Sequence, residues 1–331
     1  MSTATGESSL PPRRLGPHGP TVSALGYGAM GLSGVYGAAN DAESTALLRQ
    51  LLDHGVTFLD TADVYGDGHN ERLIGRAISG RRDEAFLATK FGADQPRGGG
   101  SPAYVRSAVE ASLRRLGTDH IDLYYLHRVD PDTPIEDTAG VLGELVHEGK
   151  VGHIGLSEVQ PDTLRRAHRT HPVTAVQQEY SLFTREPETH LLPAMRELGV
   201  GMVPYSPLGR GVLSGRFRQP ADVENLQQRS ERYPRFAEAN LRHNLTLVER
   251  LRDRAEQLGR TPAQLALGWL LAQGDDIVPI PGSRRLGNVT ANLEAVREPL
   301  AASVVAELSD LFPVGIAAGE RYSPALGARI E

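Results

Sequence analysis

The stretch VTFLDTADVYGDGHNE, residues 56–71, joins an apolar run to a polar loop, as one strand–loop unit of an α/β fold does. Its first part is rich in β-branched and aromatic residues, which predicts a buried strand that ends near Asp60. Its second part collects glycines, acids, a tyrosine and a histidine directly after that strand. Because loops that follow strands often carry function, the stretch predicts either a simple polar turn or the edge of a site.

Runs of the same kind recur along the chain, and amphipathic segments of helical length separate them. The predicted strands are 56–62, 85–91, 121–127, 151–157, 173–179, 201–207 and 276–282, with a weaker one at 21–28. The predicted helices between them are 41–54, 70–79, 102–116, 136–148, 161–168 and 187–198. Apolar strands that alternate with helices indicate a parallel sheet buried on both faces. Eight such units predict a closed (β/α)8 TIM barrel of the α/β class.

The domain organisation follows from length and pattern. A chain of 331 residues is within the range of a single barrel, and we predict one barrel domain over residues 13–311. Residues 1–12 are expected to be a disordered tail, and residues 312–331 a C-terminal tail near the barrel rim. Two insertions interrupt the pattern: a long, weakly patterned loop at 209–236 and an extra apolar helix at 261–274.

Composition excludes several classes of function. The formal charge of −6 and the pI near 6.0 provide no basic field for nucleic acid. No apolar run approaches the roughly 18 residues of a membrane span, and the N-terminus lacks the pattern of a signal peptide, so we expect a cytoplasmic protein without a membrane partner. The chain has no cysteine, which rules out disulfides and thiolate chemistry.

The segment GYGAMG, residues 26–31, matches the glycine pattern of dinucleotide-binding folds. In those folds the glycines join a strand directly to the helix that binds the pyrophosphate. Here a further nine residues precede the predicted helix that starts at Asp41. The match therefore does not predict a dinucleotide fold of that type.

Ionisable residues end neighbouring predicted strands: Asp60 the second, Lys90 the third and His127 the fourth. Because the C-terminal ends of all strands meet at one face of a barrel, they should converge with Tyr65, which lies just after Asp60. Each residue alone could be a cap, a packed loop residue, a solvated ion or a structural histidine. Together they suit proton donation to a carbonyl oxygen, and we expect the Lys90 ammonium to lower the pKa of the Tyr65 phenol.

A source of electrons is needed, and no metal-binding motif is present, so we expect a nicotinamide. Tyr205, in PYSPLGRG at 204–211, could stack on a flat ring, although an ordinary turn at the rim would also explain this segment. In IPGSRR at 280–285, Arg284 and Arg285 suit a 2′-phosphate, which favours NADP over NAD. Arg128 could meet an anionic substrate, but we expect it to be a solvated arginine at the rim.

At these residues the chain resembles the aldo-keto reductase superfamily, through GYGAMGL, FLDTADVYG, ATKFG, YYLHRVD, GKVGHIGLSE, VQQEYSL, YSPLGRGVLSG and IPGSRR. The resemblance implies an NADPH-dependent reductase of aldehydes or ketones, with a tetrad of Asp60, Tyr65, Lys90 and His127 and with Tyr65 as the acid. It also implies an N-terminal hairpin near 14–22 that plugs the barrel. The cofactor contacts that it implies are Ala29, Met30, Asp60, Ser157, Gln178, Tyr205, Ser206, Leu208, Gly209, Gly211, Ser283, Arg284 and Asn292.

The chain departs from the pattern of many relatives at three positions. Glu158 replaces an asparagine, and a carboxylate cannot donate to the carboxamide carbonyl of the cofactor. Asn288 and Ala291 replace an arginine and a glutamate, which predicts weaker retention of NADPH.

Two other functions stay open. One is an NADPH-binding regulatory subunit like the potassium-channel β subunits. The other is an aldolase in which Lys90 forms a Schiff base, although Asp60 would keep that amine protonated. The substrate and the oligomeric state are not predicted.

Overall fold

The computed structural model describes residues 10–34, 37, 39–95, 97–328 and 330–331. Of the predicted N-terminal tail, residues 1–9 lie outside this part of the chain. A hairpin of β1 (Pro12–Arg14) and β2 (Thr21–Ser23) precedes a sheet of seven parallel strands that pair in chain order. These strands are β3 (Tyr27–Gly28), β4 (Phe58–Asp60), β5 (Phe86–Phe91), β6 (Ile121–Leu126), β7 (Val151–Ser157), β8 (Ala175–Glu179) and β9 (Gly201–Tyr205).

Residues 276–282, the predicted last strand, run between β9 and β3 and complete the barrel. Two of these residues, Pro279 and Pro281, carry no N–H, so they accept bonds from β3 without donating any in return. Residues 276–282 are therefore part of the barrel wall, but they do not form the regular hydrogen bonds of a strand with both neighbours. Its bonds include Val278 N to Met202 O (2.9 Å), Ile280 N to Pro204 O (3.1 Å), Gly26 N to Pro279 O (2.9 Å) and Gly28 N to Pro281 O (3.4 Å).

Helices cover the outside of the barrel, as predicted. The first six are α1 (Asp41–Asp53), α2 (His69–Ile78), α3 (Pro102–Leu116), α4 (Ile135–His147), α5 (Pro161–Thr170) and α6 (Leu191–Leu198). The others are α7 (Leu226–Arg232), α8 (Glu238–Gln257), α9 (Pro262–Leu271), α10 (Leu286–Arg297), α11 (Ala302–Leu311) and α12 (Pro324–Gly327). The predicted extra helix at 261–274 is α9, where Thr261 and Gln264 form a reciprocal N-terminal cap.

The insertion at 209–236 is more regular than the sequence indicated. It contains α7 and three short 3₁₀ turns. The helix that follows it, α8, was not among the predicted helices because most of its surface is polar. Its buried residues nevertheless recur at helical spacing, at Leu241, Leu245, Val248 and Leu251.

The predicted strand at 21–28 is two separate elements. Its first half, β2, belongs to the hairpin, and its second half, β3, belongs to the barrel. The hairpin turn inserts Leu15 into the barrel, where it packs in one buried cluster with Phe58, Leu123 and Val203. Gly16 has φ +77° there, and a β-carbon on it would lie 2.1 Å from the carbonyl oxygen of Gly199.

The hairpin thus closes one end of the barrel, and the C-terminal ends of the strands form the other. Among the described residues, the helices include none of the length and apolarity that a membrane crossing requires.

Candidate active site

The ends of β4 and β5 hold a buried ion pair. Lys90 Nζ lies 2.5 Å from Asp60 Oδ1 and also donates to the Thr61 carbonyl oxygen at 2.7 Å. Burial alone would lower the pKa of Lys90, but Asp60 and Tyr65 outweigh it and hold the pKa above its usual value. The amine at this position is therefore an ammonium at neutral pH.

Asp60 has a second partner on the opposite side of the barrel. Gln177, on β8, donates from Nε2 to Asp60 Oδ2 at 2.8 Å. Burial raises the pKa of Asp60, while Lys90 and Gln177 act in the other direction by bonding the charged form. Both carboxylate oxygens are thus fixed by donors inside the barrel.

Tyr65 lies over this pair. Lys90 Nζ donates to the Tyr65 hydroxyl oxygen at 3.5 Å, and the Tyr65 ring meets His127 edge to face with ring centroids 6.0 Å apart. Burial raises the pKa of the phenol by more than Lys90 lowers it. The expectation that Lys90 brings this pKa below its usual value is therefore wrong for the free protein, because full burial is the larger effect.

The conformation of the loop that carries Tyr65 is set by residues within the loop and just after it. Gly66, Asp67 and Gly68 all have positive φ, which turns the chain sharply into α2. Asn70 is fully buried and accepts from Thr61 Oγ1 at 2.7 Å while it donates to the Ala29 carbonyl at 2.9 Å. The stretch at 56–71 is therefore both a turn and the edge of a site.

His127 follows β6 directly and is buried, with 8% of its surface exposed. Its backbone N–H donates to the Phe91 carbonyl at the end of β5 at 2.9 Å, which places the imidazole beside the end of the neighbouring strand. The structure thus brings the four sequence-predicted residues Asp60, Tyr65, Lys90 and His127 together at one rim.

Three more predicted residues lie at the ends of the next strands. Ser157 ends β7, and Gln178 and Tyr205 lie near the ends of β8 and β9. Gln178 is nine-tenths buried, and its Oε1 has no hydrogen-bond partner among the described residues. A buried acceptor of this kind indicates that a further donor belongs at this position.

Arg128 is not the solvated arginine that we expected. Its guanidinium donates to the His127 carbonyl oxygen at 2.6 Å and to Ser157 Oγ at 3.3 Å, and the side chain is partly buried. A cation therefore lies inside the rim between His127 and Ser157.

After β9 the chain makes a tight turn that contains Ser206, Leu208, Gly209 and Gly211. Ser206 has φ +48°, Gly209 +55° and Gly211 +97°. The turn closes through a bond from Leu213 N to Leu208 O at 3.1 Å. Successive left-handed residues turn backbone N–H groups toward one side, which is typical of anion-binding loops.

Ser283 and Arg284 lie just before the first turn of α10, where helix N–H groups favour an anion. Ser283 Oγ accepts from the Arg285 backbone at 3.2 Å and from Asn288 Nδ2 at 3.1 Å. Asn292 is buried on the same helix. Ala29 is fully buried and Met30 partly buried in a 3₁₀ turn directly after β3, near the rim.

Sequence reasoning missed two buried residues that hold this site. Gln177 could have been found, because alternation along VQQE places one of its two glutamines toward the barrel interior. Asn70 had no such signal, since its partners lie in the turn after β3 and at the end of β4. Among the residues that the structure describes, no group of three or more His, Asp or Glu side chains could hold a metal ion.

The chain is similar to known proteins of one family. Residues 24–312 match the model of the Aldo/keto reductase family. The chain is 46% identical over 326 residues to "Probable aldo-keto reductase 1" of Glycine max, covering 96% of this chain and 93% of that protein.

Two solved structures are also similar. One is the thermostable aldo-keto reductase Tm1743 in complex with the inhibitor epalrestat, with a TM-score of 0.74 and 30% identity over 91% of this chain and all of the other. The second is the glycerol dehydrogenase AKR11B4 from Gluconobacter oxydans, with a TM-score of 0.82 and 27% identity over 95% of this chain and 98% of the other.

Proposed function

Because the chain belongs to the aldo/keto reductase family of oxidoreductases, we propose that it is an NADPH-dependent reductase that converts an aldehyde or ketone into an alcohol, with Tyr65 as the proton donor. The observation that carries the proposal is the contact of the Lys90 ammonium with the Tyr65 oxygen at 3.5 Å inside a buried site. The ammonium donates to that oxygen, so the phenol's own proton is the one available to a substrate.

The chemistry assigned to each residue follows from its contacts. As negative charge develops on the carbonyl oxygen, Tyr65 gives it a proton, and the Lys90 ammonium stabilises the phenolate that remains. Asp60 and Gln177 hold Lys90 in place. The imidazole of His127 is assigned to orienting the substrate oxygen, because it lies beside the Tyr65 ring.

The residues at the rim fit a nicotinamide cofactor. The unpaired Oε1 of buried Gln178 would accept from the carboxamide NH₂, and Ser157 ends the neighbouring strand β7. The Tyr205 ring would stack on the nicotinamide, and the turn after β9 would hold the pyrophosphate. When bound, the reduced nicotinamide supplies the hydride that the carbonyl carbon requires.

NADP is favoured over NAD by the residues at the start of α10. Arg284 and the Ser283 hydroxyl, next to a helix N-terminus, suit a 2′-phosphate. Asn292 is assigned to the adenine. Weaker retention of NADPH through Asn288 and Ala291 stays a prediction.

The Schiff-base alternative has little support, since Lys90 is charged and directs its three donors to Asp60, Thr61 and Tyr65. The regulatory alternative predicts cofactor binding without turnover.

The test is NADPH oxidation by the isolated protein over aliphatic, aromatic, quinone and sugar-derived carbonyls. Dihydroxyacetone and glyceraldehyde belong in the panel because one structural relative is a glycerol dehydrogenase. We expect turnover of at least one carbonyl, with NADPH preferred to NADH. NADPH binding without turnover of any compound in the panel would favour the regulatory role instead.

A further inference from the structure

We propose that Glu158 and Arg321 are positioning residues that fix the ring of Tyr205 and hold the C-terminal tail across the nicotinamide end of the site. The proposal rests on the proposed function, because it assigns Tyr205 to the nicotinamide.

Glu158 follows β7 directly, next to Ser157, and its side chain is fully buried. Arg321, from the tail, binds it with two parallel bonds: Nη1 to Oε1 at 2.9 Å and Nη2 to Oε2 at 2.8 Å. A buried carboxylate requires such a partner, since an unpaired charge there would be strongly unfavourable. Glu158 also has φ +54°, an uncommon backbone conformation for a residue with a side chain.

The carboxylate of Glu158 has little capacity left for a ligand. Besides Arg321, its Oε1 accepts from the Tyr205 hydroxyl at 2.8 Å and from the Glu179 backbone N–H at 3.1 Å. Three donors account for the lone pairs of Oε1, and Oε2 accepts from Arg321. Glu158 is therefore held by four hydrogen bonds from protein groups.

The Tyr205 hydroxyl is held from a second direction by the tail. It bonds the Tyr322 hydroxyl at 2.8 Å, and Arg210 Nη2 donates to the same Tyr322 oxygen at 3.0 Å. Two partners at the phenol oxygen fix the position of that end of the Tyr205 side chain and restrict its movement. The bonds lie at the edge of the ring, so they set its orientation without covering its faces.

The tail has further attachments on the insertion side. Ser323 N donates to the Arg232 carbonyl at 2.9 Å, and Arg235 Nε donates to the Gly319 carbonyl at 3.3 Å. The tail thus connects the insertion, which carries α7, to the end of β7. The Glu158–Arg321 pair is the buried attachment on the β7 side.

Ligand binding to Arg321→Gln tests the proposal. Two ligands are compared by fluorescence titration: NADPH, and 2′-phospho-ADP-ribose, which keeps the adenine, phosphates and ribose but lacks the nicotinamide. We expect Arg321→Gln to weaken NADPH about tenfold or more, because a buried charged hydrogen bond is lost, and to leave the fragment unchanged. Arg321→Lys keeps the charge and should recover part of the affinity.

The matched control is Arg166→Gln. Arg166 also makes two parallel bonds to a glutamate, Glu136, at 2.7 and 2.6 Å, but on the exposed surface between α4 and α5. The Arg166→Gln variant should bind both ligands as tightly as wild type does. In a Glu158→Gln background, Arg321→Gln should reduce the NADPH affinity clearly less than it does in the wild-type protein, since the two residues act as a pair.

Each other outcome overturns the proposal. Equal weakening of both ligands would mean that Arg321 only supports the fold, and unchanged NADPH affinity would mean that it does not position Tyr205. Tighter NADPH binding would mean that the tail obstructs the site. If Arg321→Gln does not fold, Arg321→Lys gives the same comparison. Failure of wild type to bind NADPH would instead reject the proposed function itself, and this inference with it.

Discussion

Tyr65 is a phenol in a buried site, where the Lys90 ammonium is the cation that contacts it. Burial favours the neutral phenol, and the Lys90 ammonium only partly offsets this, so the pKa of Tyr65 lies above its usual value. For carbonyl reduction this is the useful direction, because the protonated phenol is the form that can donate. In the proposed reaction, the ammonium would act mainly on the phenolate that Tyr65 leaves after it donates its proton.

The pH dependence of turnover follows from that direction. Tyr65 is protonated below its folded pKa, so kcat for carbonyl reduction should stay level through neutral pH and fall only at alkaline pH, above about 10. Alcohol oxidation needs the phenolate and should rise with pH over the same range. Steady-state rates in both directions measure this. A fall in kcat for reduction between about pH 6 and 8 would point to another acid.

Gln177 is expected to matter although it is remote from the substrate. Gln177→Leu removes the donor to Asp60 Oδ2 inside the barrel, which raises the pKa of Asp60 further and loosens Lys90. We expect a loss of about 1 to 3 kcal/mol in the free energy of unfolding. Turnover should fall about tenfold or more, the change that 1.4 kcal/mol produces. Gln227→Leu, on the exposed face of α7, is the control. Equal turnover by the two variants would show that Gln177 has no role in the site.

Among the helices, α10 is expected to affect cofactor binding through its N-terminal end and not through its C-terminal end. Arg284→Ala, just before its N-terminus, should weaken NADPH about tenfold or more and change NADH little, because only NADPH carries the 2′-phosphate. Arg297→Ala, in the last turn and paired with Glu294 at 2.8 Å, should change neither. Equal weakening of both cofactors by Arg284→Ala would place its contact elsewhere.

Elements built from local patterns were predictable from the sequence. Six of the seven apolar runs bounded by glycine, proline or acids became β4 to β9, and the weaker run at 21–28 contained β3. The spacing of Asp60, Lys90 and His127 indicated their shared rim. The last wall segment formed in the predicted place, but Pro279 and Pro281 kept it from pairing as a regular strand. The helix α8 was missed because its polar surface obscured four regularly spaced buried residues.

Contacts between distant parts of the chain were not predictable. Gln177 reaches Asp60 across the barrel, and Arg321 reaches Glu158 from the tail, so neither pair has a local signal in the sequence. The full burial of Tyr65 could not be predicted from the sequence either, and this burial decides that the pKa of Tyr65 is raised. Charge and spacing alone had indicated the opposite direction.

In the whole molecule, the packed end that the hairpin closes and the end that carries the candidate active site lie opposite each other in the barrel. Leu15→Ala removes a fully buried side chain from the plugged end and should lower the free energy of unfolding by about 2 to 5 kcal/mol. Turnover should stay near wild type where the protein is folded. Val314→Ala, at a half-exposed position, should change stability little. Loss of activity in folded Leu15→Ala would show that the two ends are coupled.

The proposed reduction of a carbonyl depends most on a proton from Tyr65. Its most direct test is NADPH consumption by Tyr65→Phe with the best carbonyl substrate of wild type, together with titration of NADPH binding. Turnover should fall by about 10² to 10⁴, the contribution of a general acid, while NADPH binds as tightly as in wild type. Reduction at the wild-type rate by Tyr65→Phe would contradict the account.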